Sequence, residues 1–393
     1  MKSLLDDIRV LDLTHVWFGP WCTLLLAEIG AEVIKIEPPW GALDRLSETG
    51  PMYAGASPTF HHHNLNKKDL AVNLKDPRGK KIFEELVKIS DVIVNNYTPG
   101  TMERMGIGYE DLKKIKPDII FATLSGFGET GPYSTRASYA MIAESYTGFT
   151  RQQGDNVDPN GPPYTMTGAF GDLAPGTMAA MSIIAALRYR DKTGVGQKID
   201  VAQMDVMFAY NVNTTHYFLS GKNEVERRKE MEEVQKQRSQ LNIGGVHRVK
   251  DGWIYLMGYR AKGMDALKEK LGVDEVTKDM VVELIKDMTR EEVIDLFCGI
   301  GLPVAPIIYA SEATTDPHIL ARDMIVEIEH PILGKIKAVN FPVKFSETPG
   351  KVVSHAPLLG EHLYDVLKGY LGYGDEEIQR FIKEGVVSQN LKP

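Results

Sequence analysis

Short β-branched apolar runs alternate with segments of helical period through the first part of the chain. Runs at 8–13, 31–36, 91–95 and 119–124 read as strands, and 22–29, 77–88 and 109–114 read as helices. Strand–helix alternation of this kind is the signature of βαβ units around a parallel sheet, and it predicts an α/β doubly wound arrangement. Ligands of such sheets sit beyond the carboxyl ends of the strands. The turns to search are therefore Thr14 to Pro20, Glu37 to Gly41, Asn96 to Gly100 and Ser125 to Pro132, all rich in Gly, Pro, aromatic or polar residues.

Further along, residues 175–189 are small and apolar on every side, which predicts a buried helix. A turn at 192–196 ends it, and 197–201 reads as a strand. Residues 222–238 form a charged helix with little apolar face, read as part of a linker. A second unit follows, with a strand at 252–257 and helices at 264–271 and 290–297; the tail adds a strand at 336–341 and a helix pair within 361–385. The expected division is a large domain over 1–200, a linker over 201–240, a small domain over 241–326, and a return through 327–393 that completes the large domain. At roughly 150 residues per domain, a chain of 393 residues suits two domains.

Composition changes this picture mainly by exclusion. A net charge of −8 gives no reason to expect a nucleic-acid partner. No run approaches the roughly 18 consecutive apolar residues of a membrane span, and the acidic start Met1 to Asp7 is unlike a signal peptide. The expectation is a cytoplasmic protein without a membrane partner. Cys22 and Cys298 make neither a disulfide framework nor a zinc cluster, and Cys22 reads as a small core residue rather than a thiol nucleophile.

Candidate chemistry narrows further. Gly126 to Gly131 matches G-x-G-x-x-G literally, but it follows the fourth strand and runs into Pro132, the wrong context for a dinucleotide fingerprint. His61, His62 and His63 are consecutive, so they cannot all face one ion; a solvent- or substrate-facing loop is predicted, with no metal. The stretch Gly168-Ala169-Phe170-Gly171-Asp172-Leu173-Ala174-Pro175-Gly176 places one acid between glycines just before the apolar helix. Alone, Asp172 reads as a helix cap. Flanking glycines would also let a bulky ligand approach, and the acid could serve as a covalent nucleophile.

Taken together, Thr14-His15-Val16 with Gly19-Pro20, Gly30 to Glu37, Asn64 to Lys67, Asn96 to Gly100, Ser125 to Gly128 with Gly131-Pro132-Tyr133, Gly171-Asp172 with Gly176, and Ala356 to His362 resemble the family III CoA transferases. The resemblance implies a Rossmann-like large domain, a smaller α+β domain, and an interlocked ring-like homodimer. It implies transfer of coenzyme A from an acyl-CoA to a free carboxylic acid, with coenzyme A as a substrate and no tightly bound cofactor. Asp172 would be the nucleophile, passing through a mixed anhydride and an aspartyl-CoA thioester. Coenzyme A contacts would come from His15, Val16, Trp17 and Phe18, from Val72, Asn73, Leu74 and Lys75, from Asn96, Tyr97 and Thr98, and from Arg104 and Arg136. Arg136 and Tyr139 would border the substrate pocket, and Gly244-Gly245 would belong to a covering glycine loop.

The chain departs from the family pattern in places. Trp17 replaces a Gln, which with Trp21 suggests a larger or more apolar acyl group. Pro38 replaces a basic coenzyme A ligand, and Tyr139-Ala140 replaces a Tyr-Asp pair. The α-methylacyl-CoA racemases share this resemblance but need two opposed bases, and Ser138 to Met141 contains no His. A coenzyme A-binding protein whose chemistry has lapsed is a further alternative.

Overall fold

Residues of the central strands alternate between two apolar faces, and each face is covered. The computed structural model describes residues 3–46, 50–158, 160–166, 168–230, 243–258 and 261–391. The chain divides into two compact units, one of Met1–Val212 with Asp323–Pro393 and one of Asn213–Arg322. The family-like expectation of a parallel, Rossmann-like α/β sheet holds for the first unit, and an α+β arrangement holds for the second.

In the first unit, the helices that matter are α1 (Phe18–Glu28), α2 (Pro58–His63), α3 (Pro77–Lys88), α4 (Thr101–Arg104), α5 (Tyr109–Ile115), α6 (Ala140–Tyr146), α7 (Phe149–Val157), α8 (Phe170–Thr193) and α9 (Gln203–Tyr210); α10 (Val212–Ser220) starts at the boundary and belongs to the second unit. The strands are β1 (Arg9–Leu13), β2 (Glu32–Glu37), β3 (Lys68–Val72), β4 (Val92–Asn95), β5 (Ile120–Ser125) and β6 (Lys198–Ala202). In the second unit, β7 (Gly245–Val249), β8 (Gly252–Leu256) and β9 (Val304–Ile307) form an antiparallel sheet beside helices Ala261–Leu271, Lys278–Ile285 and Arg290–Gly299. A hairpin of β10 (Ile325–His330) and β11 (Gly334–Val339), and the short β12 (Val387–Ser388), return to the first unit.

The large sheet has the order β12-β3-β2-β1-β4-β5-β6, parallel except for β12. Chain order therefore reverses between β1 and β4, and an open crevice at such a switch point is where doubly wound sheets bind ligands. Leu11, Leu13, Ile34, Ile36, Leu70 and Val72 pack on α3 and on the C-terminal residues Leu363, Val366, Ile378 and Phe381. Their neighbours Val10, Val33, Val92, Val94, Ile120 and Leu124 pack on α1 and α8. Period-two alternation explains both covers.

Several expectations change. Residues 68–72 form β3, unread in the sequence because Lys68 and Asp69 interrupt the apolar run; inside the fold they pair with Glu32 and Arg45. Residues 201–212, assigned to a linker, end β6 and build α9, where Val201, Val206 and Met207 are buried. Of the charged helix 222–238, residues 224–230 are helical, while 231–242 lie outside the described residues, as do the linker and small-domain boundaries placed there. His61, His62 and His63 sit on α2 rather than in a loop.

Helix α8 starts at Phe170, five residues ahead of Pro175, and runs for 24 residues. It is long and apolar enough to cross a membrane by length and composition alone. Only half of it behaves as the sequence suggests: Ala179, Ile183 and Ala186 lie in the core, while Met181 and Ile184 are 58% and 39% exposed.

Candidate active site

The turn after β1 is built on buried charge. Lys67 Nζ lies 3.0 Å from Asp12 Oδ2, 3.0 Å from the Pro20 carbonyl, 2.8 Å from Thr23 Oγ1 and 2.9 Å from Asn64 Oδ1. The Thr14 backbone N–H donates to Asp12 Oδ1 at 2.9 Å, and Lys35 Nζ donates to the Thr14 carbonyl at 2.8 Å. Burial alone would raise the Asp12 carboxyl, but Lys67 and Lys35 overcome it and hold the group below the usual range. Burial pulls the Lys67 ammonium down to about 8 against the attraction of Asp12. A fully desolvated pair of this kind fixes geometry because breaking either half leaves a bare charge inside. Gly19 belongs to the same construction, since a Cβ there would lie 2.3 Å from Thr14 Cβ.

That platform holds His15 to Phe18 against the turn after β4. The His15 N–H donates to Asn96 Oδ1 at 3.0 Å, and Asn96 Nδ2 donates to the His15 carbonyl at 2.7 Å. One amide thus clamps the two turns across the switch point. Val16 is forced to φ 69°, a conformation that costs a β-branched residue about 1–2 kcal/mol. Trp17 stands edge-on to His63 at 5.0 Å, and burial pushes the His63 ring down to about 3, so the ring is neutral.

A cavity of about 380 Å³ opens over these turns. The structure brings to its wall His15, Val16, Trp17, Phe18, Asn96, Tyr97, Thr98, Arg136, Tyr139 and Asp172. Gly126 also lines it, at the start of the 126–139 loop between β5 and α6; no helix opens within Gly126 to Gly131. Val72, Asn73, Leu74 and Lys75 stand outside that lining, around the carboxyl end of β3, with Lys75 exposed. Arg104 is exposed on α4, where its Nη2 donates to Thr101 Oγ1 at 2.8 Å, and Thr101 lines the cavity. Gly244 and Gly245 belong to the second unit, at the start of β7. Cys22 is fully buried and its thiol is pushed up by burial, so it is core.

Asp172 is not the helix cap. The N-cap is Ala169 in a left-handed conformation (φ 48°, ψ 50°), and Asp172 lies three residues inside the first turn. Its side chain is 6% exposed. Gln203 Nε2 donates to Asp172 Oδ1, and Ser138 Oγ donates to Gln203 Oε1 at 3.0 Å. Behind it, fully buried Glu144 accepts the Gly171 N–H on Oε1 at 2.8 Å, while its Oε2 has no hydrogen-bond partner among the described residues. Burial, opposed by the Gln203 bond and reinforced by the Glu144 charge, pushes Asp172 up to about 7.

Gly171 and Gly176 admit helices rather than a ligand. A Cβ at Gly171 would lie 2.5 Å from the Ala140 carbonyl oxygen on α6, and one at Gly176 would lie 2.7 Å from the Phe18 carbonyl oxygen on α1. The Gly-Asp-x-x-x-Gly pattern therefore locks the first turn of α8 between two backbones, and Asp172 is carried by that contact. Ser138, Glu144 and Gln203 were not singled out by the sequence. Gln203 directly follows β6, so the carboxyl-end rule extended to that strand would have found it. Glu144 carries no local signal.

Arg136 also meets the cavity from the 134–139 loop. Its guanidinium lies 3.8 Å over the Tyr133 ring, Nη1 donates to Tyr146 Oη at 2.6 Å, and it has no ion-pair partner among the described residues. An aromatic-cradled cation of this type suits a carboxylate or phosphate oxygen.

Comparison with known proteins places this geometry in context. The profile described as "CoA-transferase family III" matches residues 5–363. The chain is 33% identical to succinyl-CoA:glutarate CoA-transferase of Homo sapiens, over 98% of this chain and 90% of that protein. It is 31% identical to formyl-CoA:oxalate CoA-transferase of Streptomyces coelicolor, over 98% of this chain and 99% of that protein. The crystal structure of a CAIB/BAIF family protein from Brucella suis superposes with a TM-score of 0.81 at 26% identity, covering 94% of this chain and all of that one.

Proposed function

Because the chain belongs to CoA-transferase family III, we propose that it moves coenzyme A from an acyl-CoA donor to a free carboxylic acid by covalent catalysis at Asp172. The carrying observation is the buried carboxylate of Asp172, the one acid lining the switch-point cavity among the described residues, raised to about 7. Desolvation makes that oxygen a stronger nucleophile than a carboxylate in water.

Asp172 attacks the thioester carbonyl of the donor; the carbon–sulfur bond breaks and the thiolate leaves with the electron pair. The thiolate then attacks Asp172 Cγ in the mixed anhydride, forming the aspartyl-CoA thioester and releasing the first carboxylate. An incoming carboxylate reverses both steps. Each stage exchanges one activated acyl bond for another, so no stage is deeply downhill.

The cavity of about 380 Å³ suits the acyl-pantetheine end of the donor. Lys75 and Arg104, exposed near the carboxyl edge of the same sheet, suit the phosphates of the nucleotide end. Trp17 gives the cavity an apolar wall, and Arg136 offers an anchor for a carboxylate. A homodimer is part of the reading; Met181 and Ile184 on α8 and Phe218 and Leu219 on α10 leave apolar side chains exposed in the single chain.

Incubation with succinyl-CoA, without acceptor, should give a protein heavier by coenzyme A in intact-mass spectra. Asp172→Ala should give none. Absence of the adduct with succinyl- and formyl-CoA alike would favour a non-catalytic coenzyme A-binding protein. Deuterium uptake at the α carbon of a branched acyl-CoA without acid exchange would favour a racemase.

A further inference from the structure

Asp172 is held by one oxygen. Gln203 Nε2 donates to Oδ1, and the amide cannot turn over freely because Ser138 Oγ donates to Gln203 Oε1 at 3.0 Å. Gln203 is 3% exposed and lines the same cavity as Asp172. Its backbone is equally fixed, since it opens α9 directly after β6.

We propose that Gln203 is the oxyanion donor for the enzyme's own carboxyl group, and that it dedicates Oδ1 to retention and Oδ2 to exchange. The inference rests on the aspartyl mechanism above. With Oδ1 engaged, Oδ2 is the oxygen that attacks the thioester carbonyl and becomes the bridging atom of the anhydride. When the thiolate adds to Asp172 Cγ, a carbon–sulfur bond forms and the carbonyl electron pair moves onto Oδ1. That oxygen already faces the Gln203 N–H. Collapse restores the Cγ–Oδ1 double bond and breaks Cγ–Oδ2, so Oδ2 departs within the released carboxylate. The incoming acid supplies its own oxygen in place of Oδ2, while Oδ1 stays.

A donor preset to the position where charge develops acts without reorganisation, and removing one such donor slows a step by ~10²–10³-fold. Ser138 is a positioning residue here, acting through the orientation of the Gln203 amide. Gln203 is a catalytic residue because it touches the reacting oxygen.

Two readouts test the assignment. In Gln203→Leu, formation of the aspartyl-CoA adduct should slow ~10²-fold or more, with KM for succinyl-CoA changed by no more than ~2-fold. In Gln203→Glu, only the protonated side chain can donate, so its adduct rate relative to that of the unaltered enzyme at the same pH should rise as pH falls; a packing role would give one ratio at every pH. Repeated turnover with an acceptor acid labelled in both carboxyl oxygens should leave one heavy oxygen on the Asp172 peptide of the unaltered enzyme. The Gln203→Leu enzyme, free to rotate its carboxylate, should acquire two. Equal adduct rates in Gln203→Leu and the unaltered enzyme would overturn the proposal, as would two labelled oxygens in both. Failure of the unaltered enzyme to form any adduct would instead remove the aspartyl mechanism on which it rests.

Discussion

Replacement of Gly171 by alanine tests whether helix contact positions the nucleophile. A Cβ at this position would lie 2.5 Å from the Ala140 carbonyl oxygen and 3.0 Å from its carbon and Cα, against the 3.4 Å at which ordinary contact begins. The shortfall is about 0.9 Å, and the obstacle is backbone, which cannot swing aside as a side chain can. Either α6 or the first turn of α8 must retreat, taking with it the bond from the Gly171 N–H to Glu144 Oε1, now 2.8 Å. Overpacking of this kind costs about 1–3 kcal/mol, while alanine recovers up to about 1 kcal/mol of helix propensity. The variant should therefore fold. A displacement of ~1 Å at a reacting group, however, costs ~10²-fold in rate. Single-turnover formation of the coenzyme A adduct should fall by about that factor, with the thermal midpoint lowered by only a few degrees. Gly299→Ala is the control, because a Cβ there meets nothing within 4 Å. Adduct formation at the unaltered rate in Gly171→Ala would refute the reasoning, and so would a loss no larger than the loss of folded protein.

Three other outcomes follow from the electrostatics. Adduct formation should decline below pH of about 7 as Asp172 takes up a proton, and Glu144→Gln should move that limb to lower pH by removing a negative charge behind the nucleophile. Asp172→Asn should raise the melting temperature above about pH 7 and have less effect near about pH 5; the folded pKa lies above the unfolded one, so stability from this group is present in acid and is lost as pH rises toward about 7. Lys67→Met should destabilise by about 3–5 kcal/mol in denaturant titration, and adding Asp12→Leu should recover much of it, because the single change strands a buried carboxylate.

The apolar scaffold of the large sheet is legible because β4 and β5 carry apolar, largely β-branched runs, and β1 and β2 keep apolar residues on both sides of the single charges Asp12 and Lys35. β3 is not, since its first two positions are charged and find their partners only through the fold. Pro175 misleads in the other direction. Proline is at home in the first turn of a helix, so the helix seemed to begin there, whereas Ala169 adopts a left-handed turn and starts it at Phe170. Asp172 drew attention by its glycine setting, which alone read as a helix cap, but the role of Gly171 and Gly176 was not legible, because the backbones they admit come from residues 18 and 140. Gln203 is likewise distant in sequence and meets Asp172 only through the fold, as Ser138 meets Gln203.

The connectivity of the first unit sets an order of events during synthesis. Its last strand, β12, pairs Val387 with Val72, and Leu363, Val366 and Phe381 seal one face of strands made hundreds of residues earlier. The segment 213–322 between those portions is contiguous and has its own apolar centre. On the ribosome, the intervening unit can therefore close while the outer edge of β3 and the face above it still await residues that emerge last. Slowing or truncating the final stretch would leave that edge open to chaperones and to neighbouring nascent chains.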